Sequence, residues 1–393
     1  MPNRHRVAAA LLVAGALALE LTSGCGVADP VRPHALPPPG LQVVGYVAGW
    51  EPMTPVDTGK LTAVNYAFAH VSDGAVVLDQ AKAADVLDFL RTLRAGSPWL
   101  RVLVSIGGWG ADGFSDASLT EASRAKFAGS VAALVARTDI DGVDIDWEYP
   151  GLAGPGIVHR EQDRRNFTLL LTAIRQALDA LPPRPNAAPA NRRRLLTAAL
   201  ADSDFVAHVE LDRVAEQLDW VNLMTYDFHN SLTPTTGHHA ALFTGATAGS
   251  ERSVERAVDQ FLDAGVPARK LVVGVPFYGR AFAAVREDNH GLGQPYGSYE
   301  GDHAWPQLER DFIDRNGFVR YWDERAKAPY LWNAQTRVFV SYDDPQSLAL
   351  KARFVRSRGL GGMMYWEHSQ DPHGELLRSL DAALRAAPRN EMR

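Results

Sequence analysis

Cysteine is almost absent from the 393 residues: Cys25 is the only one, so the chain can form no internal disulfide and no cysteine-based zinc site. Excess positive charge is missing too. With 40 basic and 46 acidic residues the formal net charge is −6, which gives no global field for nucleic acid or anionic lipid. The apolar run Val7–Leu19 covers only 13 residues, too short to span a bilayer comfortably. What remains is 46% hydrophobic and 22% charged, a composition that buries a large core and excludes disorder as the main state. The length suggests two or three units unless a barrel of alternating strands and helices absorbs most of it.

Residues 1–24 read as an export signal rather than as part of the fold, with Arg4, His5 and Arg6 forming a positive start before the apolar run. Its removal would leave 38 basic against 45 acidic residues, a net charge of −7. Leu21-Thr22-Ser23-Gly24-Cys25 resembles a bacterial lipobox, which makes Cys25 a candidate for lipidation. Thr22 and Glu20 depart from that pattern, and the alternative is a plain secretory signal cut after Gly26-Val27-Ala28, which discards Cys25. Pro30, Pro33, Pro37, Pro38 and Pro39 make residues 25–40 a semi-rigid stalk. The mature protein is thus expected outside the cytoplasm, free or anchored at the cell surface, with its oligomeric state open.

From Gly40 onward, short apolar runs alternate with amphipathic segments of helical length, the pattern of parallel strands joined by crossover helices. Eight runs are present: Val43–Trp50, Thr62–Ala69, Arg101–Ile106, Val143–Trp147, Leu195–Ala201, Val221–Tyr226, Leu271–Pro276 and Gly362–Trp366. Helices are expected near 81–95, 119–136, 161–180, 204–217, 251–264, 345–358 and 374–386. This predicts a TIM barrel. A doubly wound sheet is disfavoured because no glycine-rich dinucleotide loop follows the first strand. The roughly 80 residues between the seventh and eighth runs exceed any ordinary connection. Residues 281–342 hold 12 of the 35 aromatics, so a small α+β domain is expected at 281–339, between barrel segments 41–280 and 340–389. Most of those aromatics should fill its own core.

The stretch Asp141-Gly-Val-Asp144-Ile-Asp146-Trp-Glu148 carries the chemistry. Side chains alternate along a strand, so Asp144, Asp146 and Glu148 share one face and Val143, Ile145 and Trp147 the other. Buried parallel strands normally read as continuous apolar runs, and three acids in a barrel interior oppose folding. Such a cost points to function. Carboxylates separated by about 6.6 Å along the chain cannot all ionise in a dry place, so at least one pKa should rise. Glu148, nearest the open end, is the natural proton donor; Asp146 would share a proton with Asp144; Asp141, at the strand's entry, would orient the row. A metal site and a purely structural network are the alternatives, but no histidine clusters with these acids. No metal and no cofactor are expected.

At these residues the sequence resembles the family 18 glycoside hydrolases, the chitinases, whose signature is Asp-x-x-Asp-x-Asp-x-Glu. Ser105-Ile106-Gly107-Gly108, Met224-Thr225-Tyr226-Asp227-Phe228-His229, Tyr278-Gly279-Arg280 and Gly361-Gly362-Met363-Met364-Tyr365-Trp366 resemble further motifs of that family, in order, from about Val43 to Trp366. The resemblance implies the branch with an insertion after strand seven. It also implies retention of configuration without an enzyme nucleophile, the substrate's own N-acetyl group assisting. Glu148 would then be the acid and base, Asp146 would hold the acetamido N–H, Asp144 the partner proton, and Tyr226 the acetamido oxygen. Asp227, Met224, Trp366, Tyr46, Phe68, Trp109, Tyr149 and Arg280 would bind the sugar chain. Asn230, where relatives often have glycine, sets the loop after strand six apart. His229, His238 and His239 read as loop residues rather than ligands. The rival functions are an endo-β-N-acetylglucosaminidase acting on glycoprotein glycans and a non-catalytic chitinase-like lectin.

Overall fold

Backbone pairing closes eight parallel strands into a barrel: Gln42–Ala48, Ala63–Ser72, Arg101–Gly107, Gly142–Asp146, Leu195–Leu200, Trp220–Leu223, Leu271–Pro276 and Gly362–Trp366, the last pairing with the first. They are barrel strands one to eight. The computed structural model describes residues 40–79, 82–183, 193–245 and 252–386. The expected leader, Cys25, the stalk up to Pro39 and the chain beyond residue 386 lie outside them. Among the described residues no helix is long and apolar enough to cross a membrane.

Each expected run overlaps a barrel strand, and the expected helices are present at Ala83–Gly96, Glu121–Thr138, Asp163–Asp179, Val254–Asp263, Pro345–Ser357 and Glu375–Arg385. The one expected at 204–217 is divided into a 3₁₀ segment, Ser203–His208, and a short helix, Leu211–Gln217. Local chemistry starts two of the helices cleanly. Thr120 with Ser123, and Asp344 with Ser347, form reciprocal capping pairs, the second with Pro345 in the first turn.

Alternation along the strands sorts the core into two layers. Val104, Val143 and Ile145 face outward against helix residues such as Phe127, Val131, Leu170 and Ile174. Val44, Tyr46, Ala63, Ala67, Leu103, Trp220, Val272 and Met364 fill the interior. Strand six stops at Leu223, short of the expected Tyr226. The Thr225 hydroxyl donates to the Gly274 carbonyl (2.7 Å) and Asp227 adopts φ 59°, so the chain leaves the sheet here and turns toward the open end.

Between strands seven and eight lies a five-stranded antiparallel sheet in the order Ser298–Ala304, Tyr278–Ala283, Val338–Ser341, Ala328–Asn333, Val319–Asp323. It overruns the expected 281–339 at both ends, because only Phe277 separates barrel strand seven from its first strand. Phe282, Tyr330, Trp332 and Phe339 build a local core, while Ala281, Trp305, Leu308, Leu331 and Val340 belong to the same cluster as the outer layer of the barrel.

Candidate active site

The row of acids begins at Asp144, fully buried in the barrel interior. Register explains how it is tolerated. Ser105 on strand three and Thr197 on strand five are its lateral neighbours, and their hydroxyls reach it at 2.8 and 2.5 Å. The Tyr46 hydroxyl on strand one and the Asn222 amide on strand six reach it at 2.9 and 3.1 Å. Asn222 is itself fixed by the Trp220 indole N–H at 3.1 Å. Burial pushes the Asp144 carboxyl up, and these four bonds oppose the rise.

One step along the strand the treatment changes. Asp146 is buried, and among the described residues its Oδ1 has no hydrogen-bond partner. Burial, then the charges of Glu148 and Asp144, hold its carboxyl well above the usual range. The expected Asp144–Asp146 hydrogen bond is not formed among the described residues, since four other side chains already occupy Asp144. Glu148 follows, half-buried beyond the strand end. Burial raises it to about 7, with Tyr149 pulling it down by a hydrogen bond and Asp227 pushing it up by charge. An acid with such a value gives and takes a proton near neutral pH. Gly107 and Gly108 permit this crowding: a Cβ on Gly107 would lie 1.9 Å from the Asp146 carbonyl oxygen, and one on Gly108 would strike the Phe68 ring at 2.4 Å.

The end of strand six supplies the opposite wall. Tyr226 is buried, its hydroxyl held protonated by burial and by the charges of Asp146, Asp227 and Glu148. Asp227 accepts from the Tyr278 hydroxyl and from Arg280 Nε, both at 2.6 Å, and pairs with Arg280 Nη2 at 2.5 Å. Burial alone would raise Asp227; His239 and Arg280 outweigh it and hold the carboxyl well below the usual range. Tyr278 and Arg280 stand on the first strand of the inserted sheet, which therefore reaches Asp227 directly.

Aromatic rings flank the acids on two sides. Trp366 stacks on Phe68 at 5.7 Å, and Trp50 lies 6.0 Å from Phe68 and 6.1 Å from Trp366. Met224 packs at the edge of the same cluster. On the other side Trp109, 59% exposed, stands edge-on to Tyr149, which lies 4.1 Å from Phe205. Rings open to solvent beside hydrogen-bonding groups can stack on the flat apolar faces of sugars.

Two of the expected sugar-binding residues also carry structural bonds. Tyr46 is 1% exposed, packs beneath Trp366 at 5.5 Å and commits its hydroxyl to Asp144, so it supports the row rather than lining the groove. Arg280 joins Asp227 to Asp302 (2.9 Å), tying the end of strand six to the inserted sheet. Asp141 lies at the far end of strand four, bound by Arg94 (2.7 Å), the Val102 N–H (2.8 Å) and Arg101 (3.5 Å). Sequence reasoning overlooked Trp50, Thr197, Asn222 and Phe205. Inward alternation could have revealed Thr197 and Asn222, polar residues inside otherwise apolar strands. Nothing in the sequence distinguishes Trp50 or Phe205 from core aromatics. Among the described residues no group of three or more His, Cys, Asp or Glu is arranged to hold a metal.

A barrel with clustered acids and open aromatic rings at the C-terminal ends of its strands defines a glycosidase-type site. Residues 42–371 match the sequence profile of glycosyl hydrolases family 18, and the chain belongs to that family. It is 34% identical to Chitinase A1 of Niallia circulans over 87% of its own length and 58% of that protein, so it spans little more than half of this relative. Identity to Chitinase B of Serratia marcescens is 32%, covering 85% of this chain and 78% of the relative. Among solved structures, a family 18 N-acetylglucosaminidase from Paenibacillus barengoltzii is similar with a TM-score of 0.80 and 39% identity, over 88% of this chain and 100% of that one.

Proposed function

We propose that the chain is a chitinase, hydrolysing β-1,4-linked N-acetylglucosamine polymers with retention of configuration and assistance from the substrate. The observation that carries this reading is the contrast within the row: Asp144 saturated, Asp146 with a free buried oxygen, and Glu148 poised at about 7 at the open end. Glu148 donates its proton to the glycosidic oxygen as the bond to the anomeric carbon breaks. The N-acetyl carbonyl oxygen of the sugar on the nonreducing side forms a bond to that carbon, giving an oxazolinium ion. Asp146 Oδ1 accepts the acetamido N–H and stabilises the positive charge, and the Tyr226 hydroxyl donates to the acetamido oxygen, aligning it for attack. Glu148, now a base, takes a proton from water as the water opens the ring from the vacated face. Trp366 is the platform for the reacting sugar, with Trp50 and Phe68 extending it. Asp227 and Arg280 hold hydroxyls of that sugar, and Trp109 and Tyr149 contact the leaving side.

A time course of products from the N-acetylglucosamine hexamer, read with anomer resolution, tests substrate and stereochemistry together. New β-anomer is expected first; initial α-anomer overturns the mechanism, and an intact hexamer overturns the function. Activity confined to high-mannose glycopeptides would establish the endo-β-N-acetylglucosaminidase alternative, and binding without cleavage the lectin. Export belongs to the same proposal, with Cys25 carrying a lipid. Moving the protein from the membrane fraction to the medium by Cys25→Ala is the expected result; an unchanged distribution rejects the anchor.

A further inference from the structure

One side chain at the Asp227 wall, His239, is engaged with that carboxylate only loosely. His239 lies on the segment that ties the loop after strand six to the inserted sheet. Its carbonyl accepts from the Phe228 N–H at 3.0 Å, and its own N–H donates to the Ser341 hydroxyl at 2.9 Å. The ring is fully buried and edge-on to Tyr278 at 5.3 Å. Among the described residues neither ring nitrogen has a hydrogen-bond partner. Nδ1 stands 3.6 Å from Oδ1 of Asp227, just beyond bonding distance, while Tyr278 and Arg280 hold that same oxygen at 2.6 Å. A buried imidazole whose nitrogens make no full hydrogen bond is costly. A phenyl ring would occupy the place beside Tyr278 without that cost, so the nitrogen facing Asp227 calls for a role.

We propose that His239 is a positioning residue for Asp227, a reserve donor that keeps the carboxylate aimed at the groove and takes up Oδ1 when a bound sugar draws Tyr278 or Arg280 away. This rests on the sugar-cleaving reading given above. The ring acts as a neutral donor, because burial lowers its basicity and the surrounding charges oppose one another. Asp227 and Asp343 favour the cation, while Arg280, from the inserted sheet, disfavours it. His229 and His238 share its loop, and the Tyr278 hydroxyl shares its carboxylate.

His239→Phe fills the volume and removes the donor; His239→Asn keeps an N–H near the position of Nδ1. On the N-acetylglucosamine hexamer, His239→Phe is expected to lose about tenfold in kcat with KM within about twofold, and His239→Asn to recover to within about threefold of wild type. Acting through Asp227, the change should be masked in the double variant, which turns over no more slowly than Asp227→Asn alone. Full activity in His239→Phe, equal losses in both variants, or losses that multiply in the double variant overturn the proposal. A second readout needs no turnover. In the resting enzyme labelled with ¹⁵N-histidine, Asp227→Asn should lower the His239 titration midpoint by about one pH unit, since the neighbouring anion is lost. An unmoved midpoint overturns the coupling. If the midpoint moves but wild type leaves the hexamer intact, the coupling stands and the functional reading fails.

Discussion

Asp141 and Glu148 bracket the same strand, seven residues apart, and the protein treats their charges in opposite ways. At the entry, Asp141 is surrounded by Arg94, Arg101 and the Val102 N–H. At the exit, Glu148 is given burial and the negative charge of Asp227, and its carboxyl rises to about 7. The first arrangement compensates charge and secures the sheet; the second sets only the Tyr149 hydrogen bond against burial and a like charge, and so favours the protonated acid. Barrels divide stability and chemistry between their two faces, and this strand carries that division within a few residues.

The comparison is broken most severely by Glu148→Gln, which should lower kcat on chitooligosaccharides by about 10³-fold while leaving binding largely intact. Calorimetric titration with the hexamer beside steady-state kinetics separates the two effects; a variant still turning over at wild-type rate would end the assignment. Asp146→Asn should cost about 10²-fold in kcat, because the amide cannot carry the negative charge that stabilises the intermediate. Asp141→Ala sharpens the contrast from the other end. It should lose about 2–3 kcal/mol in urea unfolding, leaving the Val102 N–H without its acceptor and Arg94 with Asp139 alone, yet keep kcat per folded molecule. A drop in kcat with unchanged unfolding would place Asp141 in the chemistry instead.

The smallest effect is a linkage. Glu148 binds its proton more tightly in the folded protein, at about 7 against 4.5 for an ordinary glutamate, so wild type should lose stability as pH rises from about 4.5 to 7. Below this window the Glu148 contribution is fully present, and above it the loss is complete. Glu148→Gln lacks the dependence and should be the more stable protein above pH 7, by about 1–2 kcal/mol given the partial exposure of the group. Parallel stability curves for the two proteins across this window would show that Glu148 titrates normally.

Most of the scaffold was legible because its signals are local. Eight apolar runs and seven amphipathic segments each announce themselves in a short window, and the alternation of Asp144, Asp146 and Glu148 against Val143, Ile145 and Trp147 follows from strand geometry alone. The supporting shell of Asp144 was harder, since Ser105, Thr197, Asn222 and Tyr46 converge from four strands and only cross-strand register brings them together. Tyr46 could be read either way for that reason: whether a ring near a strand end lines a site or fills the barrel depends on Trp366, some 320 positions later. The limits of the inserted sheet were blurred because Val275-Pro-Phe-Tyr-Gly-Arg-Ala-Phe282 runs from one strand into the next across Phe277 alone, with no loop to mark where the barrel ends.

That continuity has a consequence for anyone wishing to exchange parts between relatives. Tyr278 and Arg280 are anchored to Asp227 of the barrel yet belong to the sheet that follows, and Phe277 ties back to Trp366 through its N–H at 2.8 Å. A graft cut at the visible joint would sever the wall of the groove. Working chimeras should keep residues 276–280 with the recipient and splice farther out, treating the sheet as a limb rather than a detachable module.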